Sequence, residues 1–449
     1  MSFVVKFSAV DDHALEFSAY SRGKNYLDED FFDDFTNSAH LLHDDVLKRV
    51  VSINSPKKPF NILNKYASRC RRLNGDNLNF SIYERESQVI SSPSVETLIH
   101  LGAEKFIKSS SECLLSCAEK VDKEEYEEAY ELLLKCDRMS SSKGSVVERL
   151  LFYFSEGLYE RIDRETWRVT HKGLGKKFED PLVAVRSSDE TMIAFHNELP
   201  VSQITKFAGM QAVVDNVGEA RKVHFIDFEI RKGRVLRRLA SFAGSLGLSF
   251  SFEVVVVEDM LELDEKSFSR VDVDEVVVVY AEYTLSYMIG GPDRLHHVMK
   301  VARGLRFRVM VVAEVEANCN SPIFVERFVE AMLFYGAYFE SMAGCVKSEE
   351  HRCIAEATCF GSSIRNVVAA EGRKRKIRHV GIGVWRAFFA RFVFEETELS
   401  MSSVYQANLV VKNFASGSFF TFGIDGKSLI IGWKGTPMSS ISAWRFDLF

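Results

Sequence analysis

The chain has 449 residues, 46% of them hydrophobic and 36 of them phenylalanine, with only 8 prolines. That much apolar surface builds two or three packed units and excludes long proline-rich disordered tracts. A formal net charge of −6 argues against a protein that coats nucleic acid nonspecifically, because such affinity comes from neutralising phosphates; a local basic patch stays open.

No apolar run reaches the ~18 residues that cross a bilayer, and the opening residues lack the sustained apolar stretch of a secretory signal. The 8 cysteines are scattered without a CxxC pair. Cys113 and Cys117 stand four apart in a helical pattern, but no further ligand follows at metal spacing. They read as free thiols in a reducing compartment, so the chain is expected to be soluble and intracellular.

Residues 1–94 read as a separate, variable region. It holds an acidic, aromatic stretch from Tyr26 to Phe35, then an amphipathic run with Leu42, Val46, Leu47, Val50 and Val51 near one helical face. The breakers around Pro93 place the main boundary there. From 95 to 217 the period is helical. Leu114, Leu115, Ala118 and Val121 form one stripe, and Val147, Leu150, Leu151, Phe154, Leu158 and Ile162 form another. Ile204, Phe207, Ala208, Gln211 and Ala212 fit a third helix.

From 218 to 449 short apolar runs alternate with helical segments. Val223–Phe228, Ser249–Val257, Val276–Tyr280 and Val309–Glu314 read as buried strands. Helices are expected through Leu236, Leu239 and Phe242, over Arg294–Arg303 and over Ile323–Met342. This alternation predicts an α/β fold with a doubly wound, mostly parallel sheet. Phe420–Ile424, the turn Asp425-Gly426 and Leu429–Trp433 read as a hairpin, and Ser442–Phe449 as a last antiparallel strand. The layout resembles a class I methyltransferase core with antiparallel C-terminal strands and an α-helical cap subdomain.

Several ordered blocks are similar to the GRAS-domain family of plant transcriptional regulators. Val223-His224-Phe225-Ile226-Asp227 resembles its VHIID signature. The run Val312–Phe328, with Asn320, Pro322 and Arg327, resembles the segment after the fifth core strand. Asn366–Gly372 and the residues after it resemble another block, followed by Trp385 and Arg386. Gly432-Trp433 and Ser442-Ala443-Trp444-Arg445 are similar to the C-terminal SAW motif. The resemblance spans residues 95–449 and identifies a divergent, Scarecrow-like member. No DELLA-type motif stands before residue 95, and the PFYRE block is poorly preserved. It implies a nuclear regulator working with other GRAS proteins, as homo- or heterodimers, and with sequence-specific transcription factors, and it leaves direct DNA contact open.

A methyltransferase needs a tight glycine-rich turn after its first strand, where the backbone approaches the cofactor. Here Glu229–Val235 carries long charged side chains and one glycine, Gly233. No catalytic, cofactor or metal residues are therefore assigned. The alternatives are an S-adenosylmethionine-dependent small-molecule methyltransferase and a scaffold that never touches DNA. His224 and Asp227 point to opposite sides of one strand and read as structural. So do Trp385, Trp433 and Trp444, each within an apolar pattern.

Two basic sets stand out. Arg373, Lys374, Arg375, Lys376 and Arg378 place five positive charges in six residues, and Arg231, Lys232, Arg234, Arg237 and Arg238 follow the first strand. Both are expected beyond strand C-terminal ends, where they would form one groove for DNA or an acidic partner.

Overall fold

The computed structural model describes residues 2–10, 19–20, 104–176, 198–218, 220, 222–228, 249–257, 259–268, 275–290 and 292–446. The first leucine-rich stripe is the buried side of α1 (Glu104–Asp122), which packs on α2 (Tyr126–Arg138) and α3 (Val146–Thr166). Ser145 starts α3 with a capping box: its hydroxyl accepts from the Glu148 amide, and the Glu148 carboxylate accepts from the Ser145 amide at 2.7 Å. The next helix, α4 (Pro200–Val217), begins on a proline, whose missing N–H costs nothing in a first turn.

The buried face of α4 runs through Val201, Ile204, Ala208 and Ala212. Phe207, which the spacing put on that face, is instead exposed with Met210 and Val214. Gln211 lies beside Gln406 of a later helix rather than in the core.

Among the described residues ten strands form one sheet. They are β1 (Ser2–Val10), β2 (Ala19–Tyr20), β3 (Lys222–Asp227), β4 (Ser249–Val257), β5 (Val276–Glu282), β6 (Val309–Val315), β7 (Phe394–Thr397), β8 (Phe420–Asp425), β9 (Ser428–Trp433) and β10 (Thr436–Phe446). The order is β2-β4-β1-β3-β5-β6-β10-β9-β8, with β7 also on β10. At the centre β3, β5 and β6 run parallel. The C-terminal strands close one side antiparallel, as expected. On the other side β1 lies between β3 and β4, antiparallel to both. Ser2–Val10, placed by sequence in the variable region, thus pairs within the sheet.

Helices cover both faces. Along β5, Val277, Val279 and Ala281 enter one core with α5 (Pro292–Gly304), while Val278 and Tyr280 enter the other with α3, α4 and α6 (Phe324–Cys345). Period-two alternation is why one strand feeds two cores. After α6 come α7 (Glu349–Ala355), a π-helical turn over Glu356–Gly361, α8 (Ser362–Ala369), α9 (Ile382–Phe389) and α10 (Met401–Lys412). No described helix is long and apolar enough to cross a membrane.

Candidate functional site

The crossovers deliver acids to the C-terminal edge of the parallel strands, Asp227 and Glu282 on the α4 side of the sheet and Glu314 on the α5 side. Asp227 ends β3, Glu282 ends β5, and Glu314 lies at the end of β6. Thr205, from the first turns of α4, donates to Glu282 Oε1 at 2.7 Å. Burial and the Glu282 carboxylate raise the Asp227 pKa well above its usual range, while Lys206 opposes the shift. Burial pushes Glu314 up to about 7 even though the Ser286 amide donates to it at 3.0 Å. Tyr283, held at a φ of 53° just past β5, meets Ser439 of β10 at 3.0 Å.

Sequence reasoning missed Glu282 and Glu314 as site residues. A signal was present: two fully apolar strand runs each end in a glutamate, and a carboxylate at that position must face the crevice or find a donor. His224, by contrast, points to the opposite side of β3 from Asp227, where its buried ring meets Glu275 at 2.9 Å.

The basic segment corrects the sequence reading. Arg375 and Arg378 are 3% and 0% exposed, so neither belongs to a surface patch. Asn366 holds the segment down, its Oδ1 accepting from the amides of Lys376 at 2.6 Å and Ile377 at 2.8 Å. Arg378 then donates to Gly372 O at 2.8 Å and Asn320 Oδ1 at 2.7 Å, and Arg375 to Cys319 O at 3.3 Å. Arg327 donates to Ser321 O at 2.8 Å, to Val367 O at 3.1 Å and to Glu371. Arg161 reaches the same carboxylate at 2.6 Å and lies 4.0 Å over the Phe324 ring.

Carbonyl oxygens therefore do here what water or phosphate would do at a surface. Burial, with repulsion from neighbouring guanidinium groups (Arg161 in the case of Arg375), lowers the pKa of Arg327, Arg375 and Arg378, yet a guanidinium keeps its proton. Burial acts to raise the Glu371 pKa, but Arg327 and Arg161 outweigh it and hold the group below its ordinary value. Pro322 is exposed on the turn that this cluster holds. Lys374 and Lys376 stay exposed; the side chain of Arg373 and all of Arg231, Lys232, Arg234, Arg237 and Arg238 lie outside the described residues.

The remaining motif residues are placed as follows. Trp385 and Trp444 sit in the core on the α5 side of the sheet, and Trp433 in the core on the other. Trp433 Nε1 donates to Glu340 at 3.0 Å and Trp444 Nε1 to Ser442 at 2.8 Å. Arg386 pairs with Glu396 at 2.7 Å and donates to Asp425 O at 2.9 Å, so it clamps the β8–β9 turn. A Cβ on Gly426 in that turn would come within 2.5 Å of Arg386 Nη2, and its φ is +63°. The guanidinium end could shift aside, so it is the positive φ that calls for glycine there.

A model of the GRAS domain family matches residues 110–236 and 233–445. The chain belongs to the GRAS domain family. It is 25% identical over 372 residues to the DELLA protein GAI1 of Vitis vinifera, a match covering 74% of this chain and 61% of that protein. It is 24% identical to the DELLA protein RGL1 of Arabidopsis thaliana, covering 74% and 69%. The chain thus spans about three fifths of the first of these relatives. The crystal structure of SCL7 from Oryza sativa superposes with a TM-score of 0.61 at 24% identity, covering 75% of this chain and 99% of that one; it shares the GRAS fold. The GRAS and DELLA relatives are regulatory proteins, not enzymes. In GRAS terms, the Asn320–Arg327 and Asn366–Arg378 blocks are two halves of one buried clamp.

Proposed function

We propose that this GRAS protein is a plant transcriptional regulator acting in the nucleus through contacts with other GRAS proteins and with sequence-specific DNA-binding transcription factors. The observation that carries the reading is the match to the GRAS domain over residues 110–445. In this reading residues 95–217 form a helical cap that offers the partner surface and 218–449 an α/β core, with 1–94 a variable addition. The core keeps a methyltransferase-like layout but serves as a scaffold. Exposed apolar side chains on the cap, Leu134 and Trp167 among them, are of the type that anchors protein interfaces. Direct DNA contact would fall to Lys374, Lys376 and the basic residues Arg231–Arg238.

The test is a pull-down of the tagged full chain from plant nuclear extract, with calorimetric titration of S-adenosylmethionine in parallel. Recovery of GRAS proteins or transcription factors with no heat of cofactor binding is the expected result. Cofactor binding together with methyl transfer, and no such partners, would overturn the proposal.

A further inference from the structure

The antiparallel packing of α1 on α2 brings together two thiols that are 23 positions apart. Cys136 Sγ donates to Cys113 Sγ at 3.2 Å. The two differ in environment: Cys136 is fully buried, whereas Cys113 is half-buried and reaches solvent. Cys117, one turn along α1, is buried and donates to Ala129 O at 3.3 Å. We propose that Cys113 and Cys136 are a reversible oxidation site, at which a hydroperoxide converts the two thiols into a disulfide joining α1 to α2.

The division of labour follows from the geometry. Cys113 is the attacking sulfur, because it is accessible and a neighbouring S–H is aimed at it. The Cys136 hydrogen bond and the Lys135 ammonium lower the Cys113 pKa to about 7 against the effect of burial, while the pKa of Cys136 is raised. Cys113 therefore carries more thiolate at neutral pH than an ordinary cysteine with a pKa of ~8.5. The Cys113 thiolate attacks one peroxide oxygen and the O–O bond breaks, leaving Cys113 sulfenic acid and hydroxide. Cys136 sulfur then attacks the sulfenic sulfur, so that the S–S bond forms as the S–O bond breaks. The departing hydroxide takes up the Cys136 proton. Two thiols and one hydrogen peroxide give one disulfide and two waters. Thiol–disulfide exchange with a reductant returns the pair.

The test treats the reduced full chain with stoichiometric hydrogen peroxide at pH 7, followed by alkylation and peptide mapping. A peptide linking Cys113 to Cys136, lost on reduction with dithiothreitol, is expected. In Cys136→Ser the facing thiol is gone and Cys117 stays buried against Ala129 O, so dimedone labelling at Cys113 should exceed that at any other cysteine by at least about tenfold. Cys136→Ala serves if the serine variant does not fold. No Cys113–Cys136 link in the wild type, or dimedone labelling spread evenly over the cysteines of the folded variant, would overturn the proposal. The wild-type map decides the matter even without either variant.

Discussion

Arg378 Nη1 donates to Asn320 Oδ1 at 2.7 Å, tying together residues 58 positions apart. With Arg375 and Arg327 it turns a run that reads as a surface patch into a buried clamp on the turn before α6. Removing the guanidinium strands Asn320 Oδ1 and the Arg375 carbonyl in a buried site. Arg378→Ala is expected to destabilise the protein by about 2–4 kcal/mol, from the usual cost of unsatisfied buried groups. Lys376→Ala, which removes only an exposed charge, should stay within ~0.5 kcal/mol. Urea denaturation reads both as midpoint shifts; equal shifts would return Arg378 to the surface.

Glu314 makes stability depend on pH. Burial raises its pKa from 4.5 to about 7 in the fold, so the native state binds more protons than the unfolded chain between those values. Its contribution is therefore most favourable below about pH 4.5 and is lost as pH rises through about 7, a span on the order of 3 kcal/mol. Glu314→Gln keeps an acceptor for the Ser286 amide and removes the titration. The variant should gain on the wild type between pH 5 and pH 8, measured as the difference of two denaturation curves at each pH. A difference that does not change with pH would rule out the shift.

Trp444 is 1% exposed, with its ring 4.6 Å from that of Phe389. Trp444→Ala should cost about 3–5 kcal/mol, and loss of partner binding should follow unfolding on the same temperature axis. A variant that keeps the wild-type melting temperature but has lost its partners would make Trp444 an interface residue.

Gly157 lets α3 and α8 approach closely. A Cβ there would sit 2.9 Å from Val368 Cβ, a branch point that cannot swing away. Gly157→Ala gains up to about 1 kcal/mol in helix propensity but loses about 1–3 kcal/mol to overpacking. Net destabilisation is expected, and Val368→Ala in the same chain, which removes Cγ1 but keeps the Cβ, should relieve only a part of it. Thermal melts of the two single variants and the double variant test this.

Within the described residues the strands and main helices were legible because they rest on local periodicity; the helix expected through Leu236, Leu239 and Phe242 lies outside them. Ser249–Val257 keeps its predicted bounds, and β6 extends the predicted Val309–Glu314 by one residue. The GRAS motifs were likewise readable as ordered blocks, and they led to the family by sequence alone. Phe207 shows where periodicity stops: the spacing marked a stripe, but the position of α4 over the sheet chose Val201, Ile204, Ala208 and Ala212 as the side to bury.

What the chain's order of residues determined was the pattern: which segments become strands or helices, where they start and stop, and which family they spell. What only the tertiary structure decided was which charges face water. Arg375 and Arg378 are as basic in sequence as Lys374 and Lys376, but carbonyls from Cys319 and Gly372 come to meet the arginines. The carboxylates of Glu282 and Glu314 and the thiols of Cys113 and Cys136 gain their character in the same way. Desolvation and hydrogen bonding depend on neighbours brought from far along the chain, and no local spacing encodes them.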